Sequence, residues 1–515
     1  MRNKKSEYAT YVVEVFFGSS PSKIVKSLLS KPLQTLKELA DSTSLPFSNL
    51  RNSLLLLVTH DIVLYHEEFT PTNSTQDQIL FDHPNEAPTT TKYSVQLERV
   101  FLRIRLPKIL SVSKDIAGPE GLLLVQTLVQ DGRNLKSNLI DKVVAAEISK
   151  MSNVELNQRE KMVEALEDAF LKLAEFQLIS RYSVGGKLIR KGQNVEEPLK
   201  KGKKTPTLKR RAQGNDVTIP KMARVDDSMS LSNFESGSII DDSNEVFWAI
   251  NYDTFLKYLR HRQIFNYVGI QYGELVKRVI EASFLSARGT EASVHSRRLG
   301  PVNVDSICFE LTSYNHSAMS VFSNSKIREI FEKVCVDFME QEGSIGGGTF
   351  YVNIGFIMEN IKKSLLHSII CQKFKSVIAG RIFNFVLQNP NVEEKIMSEM
   401  CVCSPIDCRR VIHEFLQNNL LNCNMIPKTS DRNPSKSDYY FSIDFDNACA
   451  ILLNESYGSA LNLFTKINFE TERIKKVAAV DQSLADRHDM VLQLQNSLLL
   501  LDESILILDV FSNFD

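Results

Sequence analysis

The sequence lacks the short motifs that mark common catalytic sites. It contains no G-x-S-x-G, no H-E-x-x-H, no G-x-x-x-x-G-K-[ST] phosphate loop and no C-x-x-C pair. These patterns position a nucleophile, a zinc ion, a nucleotide or a redox pair. Their absence removes the usual grounds for predicting an enzyme, a metal site or a cofactor, so we expect a protein without its own active site.

Cysteine is missing from the first half of the chain. All eight cysteines follow position 307, mostly inside apolar helical patterns, which is typical of reduced intracellular thiols. Four of them, Cys401, Cys403, Cys408 and Cys423, suggest a zinc site. However, one residue separates the first pair, whereas structural zinc ligands are usually two to four apart. Buried thiols are the favoured interpretation.

Long apolar runs are also missing. No N-terminal apolar segment and no run of about eighteen apolar residues occurs, so the sequence predicts neither export nor membrane insertion. The 515 residues are 43% hydrophobic and 24% charged, which indicates a globular protein with several domains.

One stretch near the N-terminus contains a complete structural pattern. Within residues 33–65 an apolar helical stripe ends at Asp41, a second helix begins at Pro46, and a β-type run begins at Ile62. The predicted apolar helical positions are Leu33, Leu36, Leu39, Ala40, Leu50, Leu54 and Leu57. Two helices, a turn and a strand in this order predict a winged helix, which is a helix-turn-helix domain with an appended β-hairpin.

The same pattern returns at residues 392–423. Its second helix begins at Pro405, and Leu421 follows sixteen residues later, the spacing that separates Pro46 from Ile62. The predicted apolar helical positions are Ile396, Met397, Met400, Val411, Ile412, Phe415 and Leu416. The repeat predicts a second winged helix.

Weaker versions of the pattern predict two more units between these. A helix is expected from Val100 to Ile109, ended by Pro107. The glycines at 346–348 lack a following Lys-Ser/Thr, so they favour a wing turn over a phosphate loop. We therefore predict a mainly α fold with small β-wings. Its parts are winged helices at 1–96, 97–186, 246–358 and 359–445, a charged linker at 187–245, and a helical hairpin at 446–515.

The linker has an uneven charge and little apolar periodicity. Residues 187–224 carry a net charge of +9, and residues 225–245 contain six acids and no base. This composition predicts disorder. Two basic clusters have the spacing of a nuclear import signal, although a solvated charge run is the alternative. They are Lys200, Lys201, Lys203 and Lys204, followed by Lys209, Arg210 and Arg211.

The C-terminal segment has a short heptad pattern. Its apolar positions are Val491, Leu494, Leu498, Leu501, Ile505 and Leu508. An antiparallel hairpin with the preceding helix is the favoured interpretation, and a dimerising coiled coil is the alternative.

The sequence gives only weak support for nucleic-acid binding. The candidate contacts are Asn49, Arg51 and Asn52 in the first unit, Lys326, Arg328 and Lys333 in the third, and Arg409, Arg410 and His413 in the fourth. The net charge of the whole chain is −1, and setting aside the +9 and −6 of the linker leaves −4 for the rest. A protein that coats duplex phosphates is normally basic. The units therefore favour docking on proteins, with local nucleic-acid contacts.

The order of these parts resembles the third-largest subunit of RNA polymerase III, a family related to the large subunit of transcription factor IIE. Four segments carry the resemblance: WAINYDTFLKYLR at 248–260, GGGTFYVN at 346–353, RIFNFVLQ at 381–388 and IPKTSDRNPS at 426–435. The resemblance covers essentially the whole chain, although in the first two units it is one of pattern more than identity.

The resemblance implies a nuclear, non-catalytic polymerase subunit without cofactor or metal. Its expected partners are two smaller subunits of a heterotrimer, the clamp of the largest subunit, an initiation factor, and single-stranded or bubble DNA bound weakly. The expected role is initiation at genes for transfer RNA, 5S ribosomal RNA and other short RNAs. A proteasome-lid or signalosome scaffold is the main alternative, and a free sequence-specific transcription factor would need more basic recognition helices.

Overall fold

The computed structural model describes residues 3–69, 89–149, 156–182, 246–314, 324–333, 338–342, 349–428, 434, 437–476, 483–511 and 514. This part of the chain is mainly α-helical with small antiparallel sheets. The helices are α1 Lys4–Phe17, α2 Ser19–Ser30, α3 Leu36–Thr43, α4 Phe47–Thr59, α5 Leu97–Phe101, α6 Leu106–Asp131, α7 Lys136–Ile148, α8 Leu156–Glu175, α9 Tyr252–Tyr272, α10 Glu274–Ser286, α11 Val304–Tyr314, α12 Asn324–Lys333, α13 Ile354–Lys373, α14 Val377–Gln388, α15 Glu394–Met400, α16 Pro405–Gln417, α17 Phe445–Lys476 and α18 Ser483–Ile505, the last followed by a π-helical turn, Leu506–Val510. The strands are β1 Gln34–Thr35, β2 Val63–Phe69, β3 Thr89–Val95, β4 Arg133–Leu135, β5 Ile179–Tyr182, β6 Phe247–Ile250, β7 Arg298–Asn303, β8 Met339–Glu342, β9 Thr349–Asn353, β10 Val392–Glu393, β11 Asn422–Pro427 and β12 Ser437–Ser442.

One order of elements occurs four times: a leading helix, a second helix, a short strand, two helices and two strands. In the second occurrence the first two helices are the two parts of α6, which kinks at Gly118. We call these repeats unit one (4–95), unit two (106–250), unit three (252–353) and unit four (354–442). In each sheet the last strand lies in the middle, in the orders β1-β3-β2, β4-β6-β5, β7-β9-β8 and β10-β12-β11. Three helices completed by a β-hairpin form the plan of a winged helix.

The junction between the leading and second helices also repeats. Gly18, Gly118 and Gly273 have φ angles of 93°, 75° and 92°, with ψ angles of −179°, −172° and 169°. This backbone conformation is essentially restricted to glycine. In unit four Lys375, with a φ of 48°, lies at the junction. The first three units therefore turn sharply at the same point for the same reason.

The last helix of each helix-turn-helix, called here the recognition helix, is α4, α8, α12 or α16. Helix α16 begins where the sequence predicts. The Asp407 N–H donates to the Ser404 side chain at 3.1 Å, and Pro405 occupies the first turn. Ile412 and Phe415 are buried as predicted. In α4 the predicted apolar positions Leu50, Leu54 and Leu57 are likewise buried.

The short helix before each turn was predicted less accurately. Leu39 and Met397 are buried, which confirms part of each stripe. Leu33 is exposed and precedes α3, and Ile396 and Met400 are also exposed. The prediction was wrong for these three because helices α3 and α15 have only about two turns, and only a narrow face reaches the core.

The predicted boundary at residue 246 is also wrong. Strand β6 pairs with β4 and β5, so it completes the sheet of unit two and does not open unit three. Trp248 packs edge-on against Phe170 of α8, with ring centroids 4.9 Å apart. The predicted linker, 187–245, therefore connects the two wing strands of unit two. The linker itself and its basic clusters lie outside the described residues.

Pro107 begins a helix where the sequence suggested an end. Helix α6 starts at Leu106 with Pro107 in its first turn, and the preceding helix α5 has already ended at Phe101. A proline in the first turn loses no hydrogen bond, because the first N–H groups of a helix have no partner within it.

The C-terminal helices α17 and α18 pack against each other as the hairpin prediction requires. Val491, Leu498 and Ile505 of the heptad pattern join a core formed with unit one, so this seam is covered within the chain. The Arg105 Nε donates to the Asp502 carboxylate at 3.0 Å, and both side chains are buried. The hairpin therefore packs against unit one and also contacts the segment that precedes unit two.

Candidate nucleic-acid and partner-binding surfaces

The predicted cations of α16 are exposed, but each faces a carboxylate. The Arg409 Nε donates to Oε1 of Glu394 at 2.7 Å, and a guanidinium nitrogen of Arg410 lies 3.7 Å from the Asp407 carboxylate. A carboxylate at this distance offsets part of the positive potential that a phosphate would meet. These two arginines are therefore weaker anion sites than the sequence suggests.

Two of the predicted cations of α12, Lys326 and Arg328, do not share one face. Lys326 and Arg328 are exposed on either side of the buried Ile327, and residues two positions apart on a helix point in different directions. Lys333 ends the helix, and its side chain lies outside the described part of the structure. In α4 Arg51 is exposed. The structure thus leaves the candidate cations dispersed along separate helices.

Sequence periodicity missed an apolar surface on unit four. Met400, Val402 and Ile406 are 64%, 80% and 77% exposed. They lie at the end of α15, in the turn, and in the first turn of α16, where a DNA reader normally presents polar side chains. The sequence does contain a sign of this surface. Val402 and Ile406 are apolar, yet they lie outside the helical stripe of predicted core positions.

The thiols of unit four are shielded from solvent to different degrees. Cys401 and Cys408 are buried, whereas Cys423 is exposed on β11. Burial, followed by the neighbouring Cys403, raises the pKa of the Cys408 thiol to about 12. Among the described residues no three His, Cys, Asp or Glu side chains are grouped to hold a metal ion. The Cys408 side chain is therefore a neutral thiol at pH 7.

A cavity of about 710 Å³ lies between units two and three. Its walls include Phe176, Tyr258 and Phe284. Arg288 lies 3.6 Å from the centre of the Phe176 ring and donates to the Tyr258 hydroxyl at 3.2 Å. Because carboxylates and cations both line the walls, the cavity favours no particular charged ligand.

One helical stretch, Arg487–Val510, has the length and composition needed to cross a membrane. In the structure 39% of its apolar window is buried within the protein. The helices that form the core of a soluble domain meet the same two criteria, and this stretch is the second helix of the hairpin.

Family models match two segments of the chain, one in unit one and one in unit four. Residues 7–68 match the RNA polymerase III subunit RPC82 helix-turn-helix domain, and residues 366–443 match the POLR3C C-terminal winged-helix domain. These segments coincide with most of units one and four.

Curated relatives extend the similarity along the chain. DNA-directed RNA polymerase III subunit RPC3 of Mus musculus is 22% identical over 503 residues, which cover 94% of this chain and 87% of the relative. The chain is thus similar to an RPC3 subunit of RNA polymerase III over nearly its whole length. The RPC3 subunit of Homo sapiens is 21% identical over 500 residues, with the same coverage. The rpc3 subunit of Dictyostelium discoideum is 24% identical over 259 residues, or 47% of this chain and 38% of the relative. Similarity to RPC3 thus includes units two and three, which the family models leave unmatched.

Proposed function

We propose that this chain is a non-catalytic, peripheral subunit of RNA polymerase III, built from four tandem winged-helix domains and a C-terminal helical hairpin. The observation that carries the proposal is the similarity to RPC3 subunits across 94% of the chain. The shared strand order of the four sheets supports the count of four domains.

The proposed role is in initiation. The subunit joins two smaller subunits on the clamp of the largest subunit, helps an initiation factor recruit the enzyme to promoters, and helps open DNA at genes for transfer RNA, 5S ribosomal RNA and other small RNAs. The acidic balance outside the linker and the exposed apolar residues of unit four support a role that depends mainly on protein contacts.

Nucleic-acid binding is a secondary part of the proposal. Lys326, Arg328 and Lys333 of unit three and Arg409 and Arg410 of unit four would contact phosphates of bubble DNA weakly and without much sequence preference. Two or three cations per helix supply little base discrimination. The carboxylates facing Arg409 and Arg410 weaken those contacts further.

The proposed location is the nucleus. The relatives are polymerase III subunits, and the basic clusters at 200–204 and 209–211 have the spacing of an import signal. A scaffold of the proteasome-lid type is the less favoured function. Such a scaffold would place one winged helix after a helical superhelix, whereas the order of elements here repeats four times.

Affinity purification of the tagged full-length chain tests the assignment. We expect the largest subunit of RNA polymerase III to copurify in near-equal amounts and to resist a wash at moderate salt. The tag alone is the control. Recovery of a free monomer, or of lid-type subunits in place of the polymerase, contradicts the proposal.

A further inference from the structure

The segment at the end of α18 is apolar on nearly every side. We call residues 505–511 the strap, which consists of the last residue of α18, the π-helical turn Leu506–Val510 and Phe511. Its apolar side chains are all buried, namely Ile505, Leu506, Ile507, Leu508, Val510 and Phe511. A helix with one apolar face needs cover on that face, whereas a helix that is apolar all round must be enclosed. Other parts of the chain therefore surround the strap.

The strap contributes to every hydrophobic core in the described part of the chain. The buried apolar residues there form three cores, one of unit one with the hairpin, one shared by units two and three, and one of unit four. Ile505 lies in the core of unit one, and Leu508 lies in that of unit four. The other apolar strap residues lie in the shared core: Leu506, Ile507, Val510 and Phe511. Neighbouring residues of one short segment thus enter different domains.

The strap packs where unit three meets unit four. It contacts α13, the leading helix of unit four. Ile361 in the first half of α13 belongs to the shared core, whereas Leu366 in its second half belongs to the core of unit four. On the side of unit three, Leu506 and Phe511 line one small cavity together with Leu259 of α9. The strap therefore fills the joint between these two leading helices.

Two carboxylates fix the position of the strap. Asp509 accepts hydrogen bonds from Nζ of Lys5 at 2.5 Å and from the Tyr457 hydroxyl at 2.6 Å. Asp502, which lies seven residues earlier, accepts from Nε of Arg105 at 3.0 Å. Residues seven apart lie on the same side of a helix, so both carboxylates point away from the apolar contacts with α13 and α9. Because a buried charge that loses its partner is strongly destabilising, these pairs permit few positions of the strap.

We propose that the strap is a conformational device that holds the four units in one fixed arrangement. The units keep their own folds without it, because each has its own helices and sheet, and the strap supplies a single residue to the core of unit one and another to that of unit four. A partner that contacts more than one unit then meets a preformed surface and loses less conformational entropy on binding. The enclosure also explains why Arg487–Val510 has the composition of a membrane-crossing helix.

Alanine variants of the full chain test whether the strap joins separate cores. Leu508→Ala should speed hydrogen exchange about tenfold in α14 and α16 of unit four, without a comparable change in α4 of unit one. Ile505→Ala should show the opposite pattern. Leu500→Ala is the matched control, because Leu500 precedes the strap on α18 and is 65% exposed, so neither unit should change. Exchange that rises equally in both units for each strap variant, or in neither unit, overturns the proposal.

The distance between units tests the arrangement itself. Spin-labelled amino acids at positions 55 and 406 of the full chain occupy exposed sites on α4 and α16, and we expect one narrow distance distribution between them. The double variant Ile505→Ala, Leu508→Ala should widen that distribution about twofold and leave the helical circular dichroism signal unchanged. Asp509→Asn removes the charge that faces Lys5 but keeps an acceptor, so it should widen the distribution less. A narrow distribution in the double variant overturns the proposal. A loss of helical signal also overturns it, because the strap would then belong to one indivisible core.

Discussion

Arg103 donates a hydrogen bond to Nδ1 of His60 at 2.6 Å, where the end of α4 meets the turn before α6. The accepting nitrogen must be unprotonated, so the contact requires a neutral imidazole. Burial, followed by the charge of Arg103, lowers the pKa of His60 to about 4. Arg103 also donates to the Val129 carbonyl oxygen at 2.9 Å, so this one side chain joins unit one to unit two.

Acid should therefore weaken the contact between these units. Below pH 6.5 the unfolded chain binds a proton at His60 that the folded chain excludes until the pH approaches 4. Stability from this group is complete above pH 6.5 and is lost as the pH falls toward 4, by about 1 kcal/mol at pH 5 after allowance for solvent screening. Thermal unfolding measures this effect. The drop in melting temperature from pH 7 to pH 5 should be smaller for His60→Gln than for the unmodified chain. Equal losses would contradict the prediction.

Gly132 is required where the same two units approach. Its φ is 83°, and a Cβ at this position would lie 2.6 Å from the Thr59 carbonyl oxygen. Gly132→Ala should lower the free energy of unfolding by about 1–3 kcal/mol through backbone strain. The added Cβ should lower it further by pushing the Thr59 carbonyl away. Gly289→Ala is the matched control, because Gly289 has a φ of 89° but no heavy atom near the added Cβ. The chain with Gly132→Ala should melt at the lower temperature, and the reverse order would refute the close approach.

Phe415 anchors the core of unit four. It is fully buried on the inner face of α16, and its ring centroid lies 5.0 Å from that of Phe374. Phe415→Ala should destabilise the chain by about 3–5 kcal/mol through the cavity that it leaves. Phe47→Ala removes an exposed ring from the equivalent helix of unit one and should have a much smaller effect. Calorimetry of the full chain distinguishes the two, and similar melting curves would mean that the ring does not support the core.

The basic clusters should direct nuclear import. Changing Lys203, Lys204, Arg210 and Arg211 to Ala should shift the protein toward the cytoplasm and leave its thermal unfolding unchanged, since this composition is not expected to form a core. Fluorescence microscopy of the tagged protein measures the shift. A charge-preserving variant with Arg at 203 and 204 is the control. Nuclear staining that survives the loss of all four cations would refute the signal.

Phosphate binding should be visible as a salt dependence. Changing Lys326, Arg328, Arg409 and Arg410 to Ala should weaken binding of the isolated chain to bubble DNA and leave assembly into the polymerase intact. Each cation that no longer binds a phosphate should flatten the slope of log K against log salt by roughly 0.7 to 0.9. Because Arg409 and Arg410 face carboxylates, we expect the α12 pair to contribute more of the change. Removal of Lys475 and Lys476 from α17 is the control, and unchanged affinity and slope in the quadruple variant would assign DNA binding to other subunits.

The sequence by itself determined the features that depend on neighbouring residues. Pro405 and the apolar spacing through Phe415 predicted α16, and the heptad pattern predicted the second helix of the hairpin. Helical periodicity and proline at a helix start act within a few residues, so they are visible in one chain. The resemblance to the polymerase subunit likewise required only the order of the parts and four short segments such as IPKTSDRNPS at 426–435.

Tertiary structure alone decided the rest. Strand β6 completes the sheet of unit two across the whole charged linker, and no local pattern records a pairing between segments so distant in sequence. The exposure of Ile396 and Met400, and the carboxylates facing Arg409 and Arg410, depend on which face of each short helix meets the core. The contact of Arg103 with His60 likewise joins residues that share no motif. Periodicity identifies an apolar face, but only packing determines what covers that face and which charges remain available to a partner.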